Sequence, residues 1–468
     1  MKKSRLIHIL KTFNKKEVRE LRKWLQSPAH NQREDVLHLF EYLFEKNHLE
    51  RDKYLEKEKV YPIVYPKEPY DDAKMRQAIH FLFKAVEGFL IYEELKNDQV
   101  KSEITLARVY RKRSLHKLCE STLKNADAMQ GKSVFRNVEF FRNDYQLQLE
   151  RYHYVAGFQR KDVNLQEVSN ALDSTYFADK LQQSCFMLAH EAVYKKEYDK
   201  GLLKEILEYI EKNDYLKYPA IAVYYYGFKA LTDRDEEHFF YSLKDEIDSF
   251  GGYFPFDELR IIYLLSINYC INRVNTGKKS FYREMFDLYK AGMEGKILFE
   301  NDKVTRWTFL NVVTTGILLK EYGWIELFIE NYQEYLEEEH RENIVHYSLA
   351  RLNFEKKNYD DAMRLLVQYD SDEIVMNLNA KLMLLKMYFE LDEIDALSSA
   401  IDSTRAYLKR KKVMGYHKTP FTNFTSLLKK VMNVNPFDRA AKRNLKTEIE
   451  GTNPLPDKNW LLIQIDQL

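Results

Sequence analysis

His116 and Cys119 stand three residues apart, a spacing that puts an imidazole and a thiol on one helix face, where two metal ligands could begin a site. The chain offers no further ligands in register. His8, His30, His38 and His48 are neighbours in sequence but follow no zinc-ligand order, and Glu337-Glu338-Glu339-His340 reads as exposed helical charge. Asp360-Asp361 is a carboxylate pair, yet glycoside hydrolysis needs two carboxylates on opposite sides of a sugar-sized cleft, whereas adjacent acids of this kind start a helix. Gly277-Lys278-Lys279-Ser280 lacks the upstream glycine and the Gly-Lys-Ser order of a phosphate loop, so a turn before a helix at Phe281 is expected. No GxGxxG, HExxH, nucleophile elbow or kinase signature appears. The residues therefore imply no catalytic set, no cofactor and no metal. Cys119, Cys185 and Cys270 are odd in number and far apart, which argues for small core residues and against a disulfide framework.

Cation clusters are the other chemistry on offer. The net charge of +1 from 73 basic and 72 acidic residues conceals local asymmetry. Residues 1–30 hold nine Lys or Arg against two acids, and residues 405–443 hold eleven against one. Arg405, Lys409, Arg410, Lys411, Lys412, Tyr416 and Lys418 are the candidate contacts for a partner or a nucleic acid. Such a run is ordinarily a solvated helix face, and its functional counterpart is phosphate binding with counterion release. Tyr407, Phe421 and Phe424 are interleaved with the cations and would either stack on bases or fill a core. The glutamate-rich stretch Asn331 to Glu342 opposes them in sign and reads as an acidic helix.

These side chains must be positioned by helices. Asn14 caps a helix from Lys15 whose third residue is Glu17, and Val18, Leu21, Trp24 and Leu25 form its apolar stripe up to Ser27-Pro28. A second helix runs from Glu34 to Glu45, and the three prolines between Tyr61 and Pro69 predict an irregular segment. Asp71-Asp72 introduce a long helix near Ala73 to Leu95. Bridging helices follow, with Gly131 and Asn143-Asp144 as punctuation, and the aromatic run Tyr224 to Phe228 is assigned to a helix. Two short helices, a proline link and a longer helix also allow a winged-helix-like unit, in which Arg76 and Lys84 would meet phosphates. No wing strands or recognition helix accompany it, and a helical docking module explains the same pattern.

A repeat appears in YSLARLNFEKKNYDDAMRLL. Ala350 on a first helix and Tyr359 and Ala362 on a second flank a polar turn, and Ala396 follows Ala362 by 34 residues. An earlier copy, LAHEAVYKKEYDKGLLKEIL, puts Ala189, Tyr198 and Gly201 in the same places. These segments resemble tetratricopeptide-type repeats, which implies a superhelix of paired antiparallel helices that binds peptides or partner proteins. Asn353-Phe354 and Gly201 depart from the repeat pattern. The stretches FNKKEVRELRKWLQSPAHN, VYPKEPYDDAKMRQAIHFLFKAVEGFL and KNWLLIQI also resemble a family of uncharacterised helical proteins from Bacteroidota, and no activity comes with that resemblance.

The expected fold is all-α: a compact N-terminal helical unit (1–98), bridging helices (99–164), an α-α superhelix of degenerate tetratricopeptide-like repeats (165–445) and a C-terminal tail or cap (446–468). With 468 residues, 14 Gly, 10 Pro, 34 Tyr and 28 Phe, the chain has ample material for a core and few breakers, which excludes disorder and collagen-like or disulfide-scaffold classes. The basic N-terminus has no clean apolar stretch, and no run approaches the roughly 18 apolar residues of a membrane helix, so a cytoplasmic protein without membrane insertion is expected. The function implied is a scaffold or adaptor for a protein or peptide. The alternative is a nucleic-acid-binding regulator.

Overall fold

The structure, a computed structural model, describes residues 1–158, 163–194, 196–367, 369, 373–410 and 415–468, and the side chains of these except 158, 192, 193, 367, 410 and 415–417. All regular structure among them is helical, apart from a single isolated bridge between Glu300 and Lys303. No helix among the described residues is long and apolar enough to cross a membrane. The chain divides into two compact units, Met1–Lys180 and Leu181–Leu468.

The first unit opens with α1 (Arg5–Leu10), α2 (Lys15–Gln26), α3 (Glu34–Phe44), α4 (Lys57–Val64) and α5 (Asp72–Asn97). α2 starts as its sequence requires. The Asn14 carboxamide accepts from the amides of Lys16 and Glu17, and Glu17 returns a bond to the Asn14 amide at 2.7 Å, a reciprocal capping box. Asp71 caps α5 in the same manner. The five helices meet on Leu6, Leu10, Leu21, Leu25, Leu39, Phe40, Leu43, Val60, Leu82 and Phe89, all buried in one core. The expected irregular segment from Tyr61 begins later than predicted. Pro62 lies inside α4, where its ring removes only the bond to the Glu58 carbonyl, and burial of Val60, Tyr61 and Val64 holds the short helix. No strand is present among the described residues of this unit, so the winged-helix alternative lacks its wing.

α6 (Gln99–Lys112), α7 (His116–Lys132), α8 (Val138–Phe158) and the start of α9 (Leu165–Tyr194) complete the unit. Asn143-Asp144, expected to punctuate, lies inside α8, carried through by the buried Phe141 and Leu147.

After α10 (Leu203–Lys212), the second unit is a succession of helix pairs: α11 (Pro219–Thr232) with α12 (His238–Phe250), α13 (Phe256–Asn275) with α14 (Phe281–Glu294), and α15 (Arg306–Leu318) with α16 (Tyr322–Tyr332). Then come α17 (Glu338–Glu355) with α18 (Tyr359–Val367), and α19 (Ile374–Glu390) with α20 (Ile394–Arg410). First helices also pack on first helices, α11 on α13 and α15 through α17 to α19, as stacked repeats do. Tyr224 to Phe228 is helical, as read, because α11 is buried along almost its whole length. α21 (Gly415–Asn433), α22 (Arg439–Gly451) and α23 (Lys458–Gln467) share a core with α19 and α20, in which Leu385, Leu397, Phe424, Ile449, Leu461 and Ile465 are buried.

One backbone device joins the helices of a pair. Lys357 is left-handed (φ 62°), its N–H bonds to the Phe354 carbonyl, and the Asn358 N–H reaches back to the Asn353 carbonyl at 2.9 Å, a Schellman turn. The same pair of bonds recurs at Ser114 (α6–α7), Gly277 (α13–α14), Lys320 (α15–α16) and Asp392 (α19–α20). Seven residues before each left-handed residue stands a buried one: Ala107, Cys270, Val313, Ala350 and Leu385. Five residues after it, in the four pairs with a short turn, stand Cys119, Ile325, Ala362 and Leu397, also buried. Two of the three cysteines thus occupy buried positions at fixed spacing from such a turn. The register also shows that the counterpart of Ala362 is Leu397, 35 residues on; Ala396, selected by a period of 34, is half-buried beside it.

Candidate functional site

The repeat-packing residues fall into two groups. Ala350 and Ala362 are fully buried between α17 and α18, and Tyr359 stacks on Phe354 while its hydroxyl donates to Glu390 on α19. Burial, followed by the Glu390 carboxylate, raises the Tyr359 phenol above its ordinary range. Ala189 is half-buried on α9, whereas Tyr198 and Gly201 precede α10 and are not on it. The Tyr198 N–H bonds to the Glu191 carboxylate at 2.8 Å, Lys200 binds the same oxygen at 2.7 Å, and Gly201 is exposed at φ 56°.

The basic segment is partly internal structure. Arg405 on α20 reaches the Thr425 carbonyl (3.4 Å) and the Ser426 hydroxyl (3.3 Å) on α21. Lys409 and Lys418 are exposed, and Arg410 ends α20. Lys411 and Lys412 lie outside the described residues, as does the side chain of Tyr416. Phe421 and Phe424 are buried, and Tyr407 accepts from Asn377 at 3.4 Å, so the first two are core residues and not platforms for bases. Arg76 and Lys84 are each ion-paired on their own helix, to Asp72 (2.9 Å) and Glu87 (2.7 Å). The acidic stretch Asn331 to Glu342 is not one helix. It spans the end of α16, a 3-10 turn and the start of α17, because buried Leu336 is extended and Glu338 and Glu339 fill the first turn of α17, where the helix dipole favours them.

His116 and Cys119 do share α7, but the Cys119 thiol is buried, donates to the Ala107 carbonyl at 3.5 Å and is pushed up by that burial. Burial likewise raises the Cys185 and Cys270 thiols. No group of three or more His, Cys, Asp or Glu side chains is placed to hold a metal among the described residues.

Two arrangements had no linear signal. In the first unit, a cleft of about 400 Å³ lies among α6, α8 and α9. Glu150, buried, binds Arg108 (2.5 Å) and Arg111 (3.0 Å), while Arg142 bonds to Glu139 at 2.8 Å and to Asp179. Each of these arginines already has its carboxylate, so none of them is an open charge for a ligand. These partners stand up to 42 residues apart, beyond any local spacing rule.

The second arrangement is the outer face of α15. Trp307, Asn311, Thr314 and Leu318 follow each other at intervals of four, three and four, one helical stripe, and Trp307 and Leu318 are each 51% exposed. Arg351 on α17 donates to the Thr314 hydroxyl at 2.6 Å and brings a cation to this stripe. The Arg306 guanidinium lies 5.0 Å over the Trp307 ring and is itself fixed by Glu373 at 2.8 Å. An exposed indole and an arginine are residue types enriched among those that carry protein recognition. The sequence held the stripe, but nothing in it said which face of α15 the next pair would leave open. No family model matches the chain, and no curated protein or solved structure matches it either.

Proposed function

We propose that the chain is a cytoplasmic scaffold or adaptor, a tetratricopeptide-like superhelix that binds a protein partner without catalysing a reaction. The observation that carries this reading is the α15–α17 surface: stacked pairs support it, while Trp307 and Leu318 stay exposed on the α15 stripe whose Thr314 is bonded to Arg351. Rigid first helices lower the entropy lost on docking, the indole supplies apolar area and the guanidinium orients the partner.

The test is cross-linking of the full chain in native extract to identify a partner, followed by calorimetry with that partner purified. Trp307→Ala and Arg351→Glu should each weaken binding at least about tenfold, a hot-spot effect, with an unchanged melting curve. Affinities that ignore both substitutions would refute this surface. Absence of any saturable protein partner would refute the function.

A further inference from the structure

The paired arginines of that cleft contrast with a second groove in the same unit. A groove of about 580 Å³ runs beside α1, with Lys2, Lys3, Arg5, His8 and Lys11 lining it and Asp52 as its one carboxylate. Asp52 is already ion-paired to Lys2, and Lys11 reaches Glu50 only at 3.8 Å. Lys3 and Arg5 are exposed and form no ion pair among the described residues. The groove therefore presents uncompensated positive charge. Among the cations the lining is apolar: Ile7 and Leu55 are buried beneath it, and the half-buried Ile9 and Phe83 also line the groove.

Charge selects an anionic occupant, and shape selects among anions. A nucleic-acid backbone would gain from the cations but leave the apolar side chains Ile9 and Phe83 unused. A peptide with carboxylates around one apolar side chain uses both, since apolar contact adds to charge pairing at the rim. We infer that this groove docks an acidic protein segment, an apolar side chain seated against Ile9 and Phe83 and the flanking carboxylates meeting Lys3, Arg5 and Lys11. This surface belongs to the first unit and is independent of the one proposed on α15 and α17.

Fluorescence anisotropy of the full chain with labelled Glu-Glu-Leu-Phe-Glu-Glu tests it. Saturable binding is expected, weakening about tenfold as salt rises to about 0.3 M, because rim pairs are screened. The double variant Lys3→Glu/Arg5→Glu should weaken it at least about tenfold with an unchanged melting curve, since both side chains are exposed. Replacing Leu-Phe in the probe by Ser-Ser should cost a further factor of about ten. No binding, or equal binding of the serine probe, would overturn the proposal. Tighter binding of an oligothymidylate of equal charge, lost in the same variant, would overturn it in favour of nucleic acid. None of these results would touch Trp307 or Arg351, so the two surfaces fail separately.

Discussion

Ala350, Tyr359 and Ala362 recur in spacing as Ala189, Tyr198 and Gly201, yet the chain builds different structures from the two sets. Around 350–362, a first helix ends in a Schellman turn and a second helix begins at Tyr359, so both alanines are buried at the crossing. Around 189–201, α9 runs on to Tyr194, and Tyr198 turns back onto α9 through Glu191 and His190 instead of starting a helix. The difference lies in what satisfies the backbone. In the first region the orphan carbonyls at the helix end are taken by the amides of the turn. In the second, the amide of Tyr198 is taken by a side chain. A small-aromatic-small motif states that helices can approach. It does not state that the chain reverses there.

The largest expected effect separates the two alanines. Ala350 is 0% exposed, so Ala350→Leu must push α17 from α18 and should cost about 1–3 kcal/mol. Ala189 is half-buried, and Ala189→Leu should stay within about 0.5 kcal/mol. Chemical denaturation of both variants checks this, and equal costs would erase the distinction. Next come the tyrosines. Tyr359→Phe removes the hydroxyl bonded to Glu390, a half-buried charged acceptor that also takes the Trp460 indole N–H at 2.6 Å, and should cost about 1.5 kcal/mol. Tyr198→Phe loses only an exposed contact to His190 and should cost less than about 0.5 kcal/mol by the same measurement.

This comparison also explains what could be read in advance. The all-helical class followed from the apolar stripes and scarce breakers, and the Asn14–Glu17 capping box was visible residue by residue. The single good repeat was visible because Ala350 and Ala362 are small. The other pairs were hidden because Cys270, Val313, Ile325, Leu385 and Leu397 occupy the same buried positions with larger side chains. The turns were hidden for a second reason. Four of the five left-handed residues are Ser, Lys, Lys and Asp, not the glycine by which such turns are recognised. Of the candidate surfaces, the cation runs were legible and their pairing only where it is local. Arg76 with Asp72 and Lys84 with Glu87 stand at helical i,i+4 and i,i+3 spacing, which the sequence does display, whereas Arg108 finds its carboxylate 42 residues away, where no local rule reaches.

Substitution at the left-handed residues probes the turns directly and with opposite sign. Lys357→Gly relieves the crowding of a side chain at φ 62°, and against the greater freedom of the unfolded glycine it should still stabilise by about 0.5 kcal/mol. Gly201→Ala introduces that crowding at φ 56° and should destabilise by about 1 kcal/mol if the 196–202 segment is cooperative with the rest of the unit. A silent Gly201→Ala would mean that the segment opens independently of global unfolding.

The smallest effect is the most selective, because it depends on pH in only one of the two regions. The Glu191 carboxyl is held below its ordinary value by the Lys200 ammonium and then by the Tyr198 N–H, against a minor opposing contribution from burial. Since the folded value lies below the unfolded one, this stabilisation is fully present above pH 4.5, the ordinary glutamate value, and fades as pH falls through the lower folded value. The protection factor of the Tyr198 amide, corrected for intrinsic exchange, should therefore drop about threefold on acidification, the size of a solvent-exposed pair. Glu191→Gln should hold it at the low value at every pH. The Asn358 amide is bonded to the Asn353 carbonyl, with no titratable group in the bond, and its protection should stay flat over the same range. Parallel pH profiles at the two amides would show that the segments open together in one acid transition, and the contrast between a backbone-locked turn and a carboxylate-held one would then be wrong.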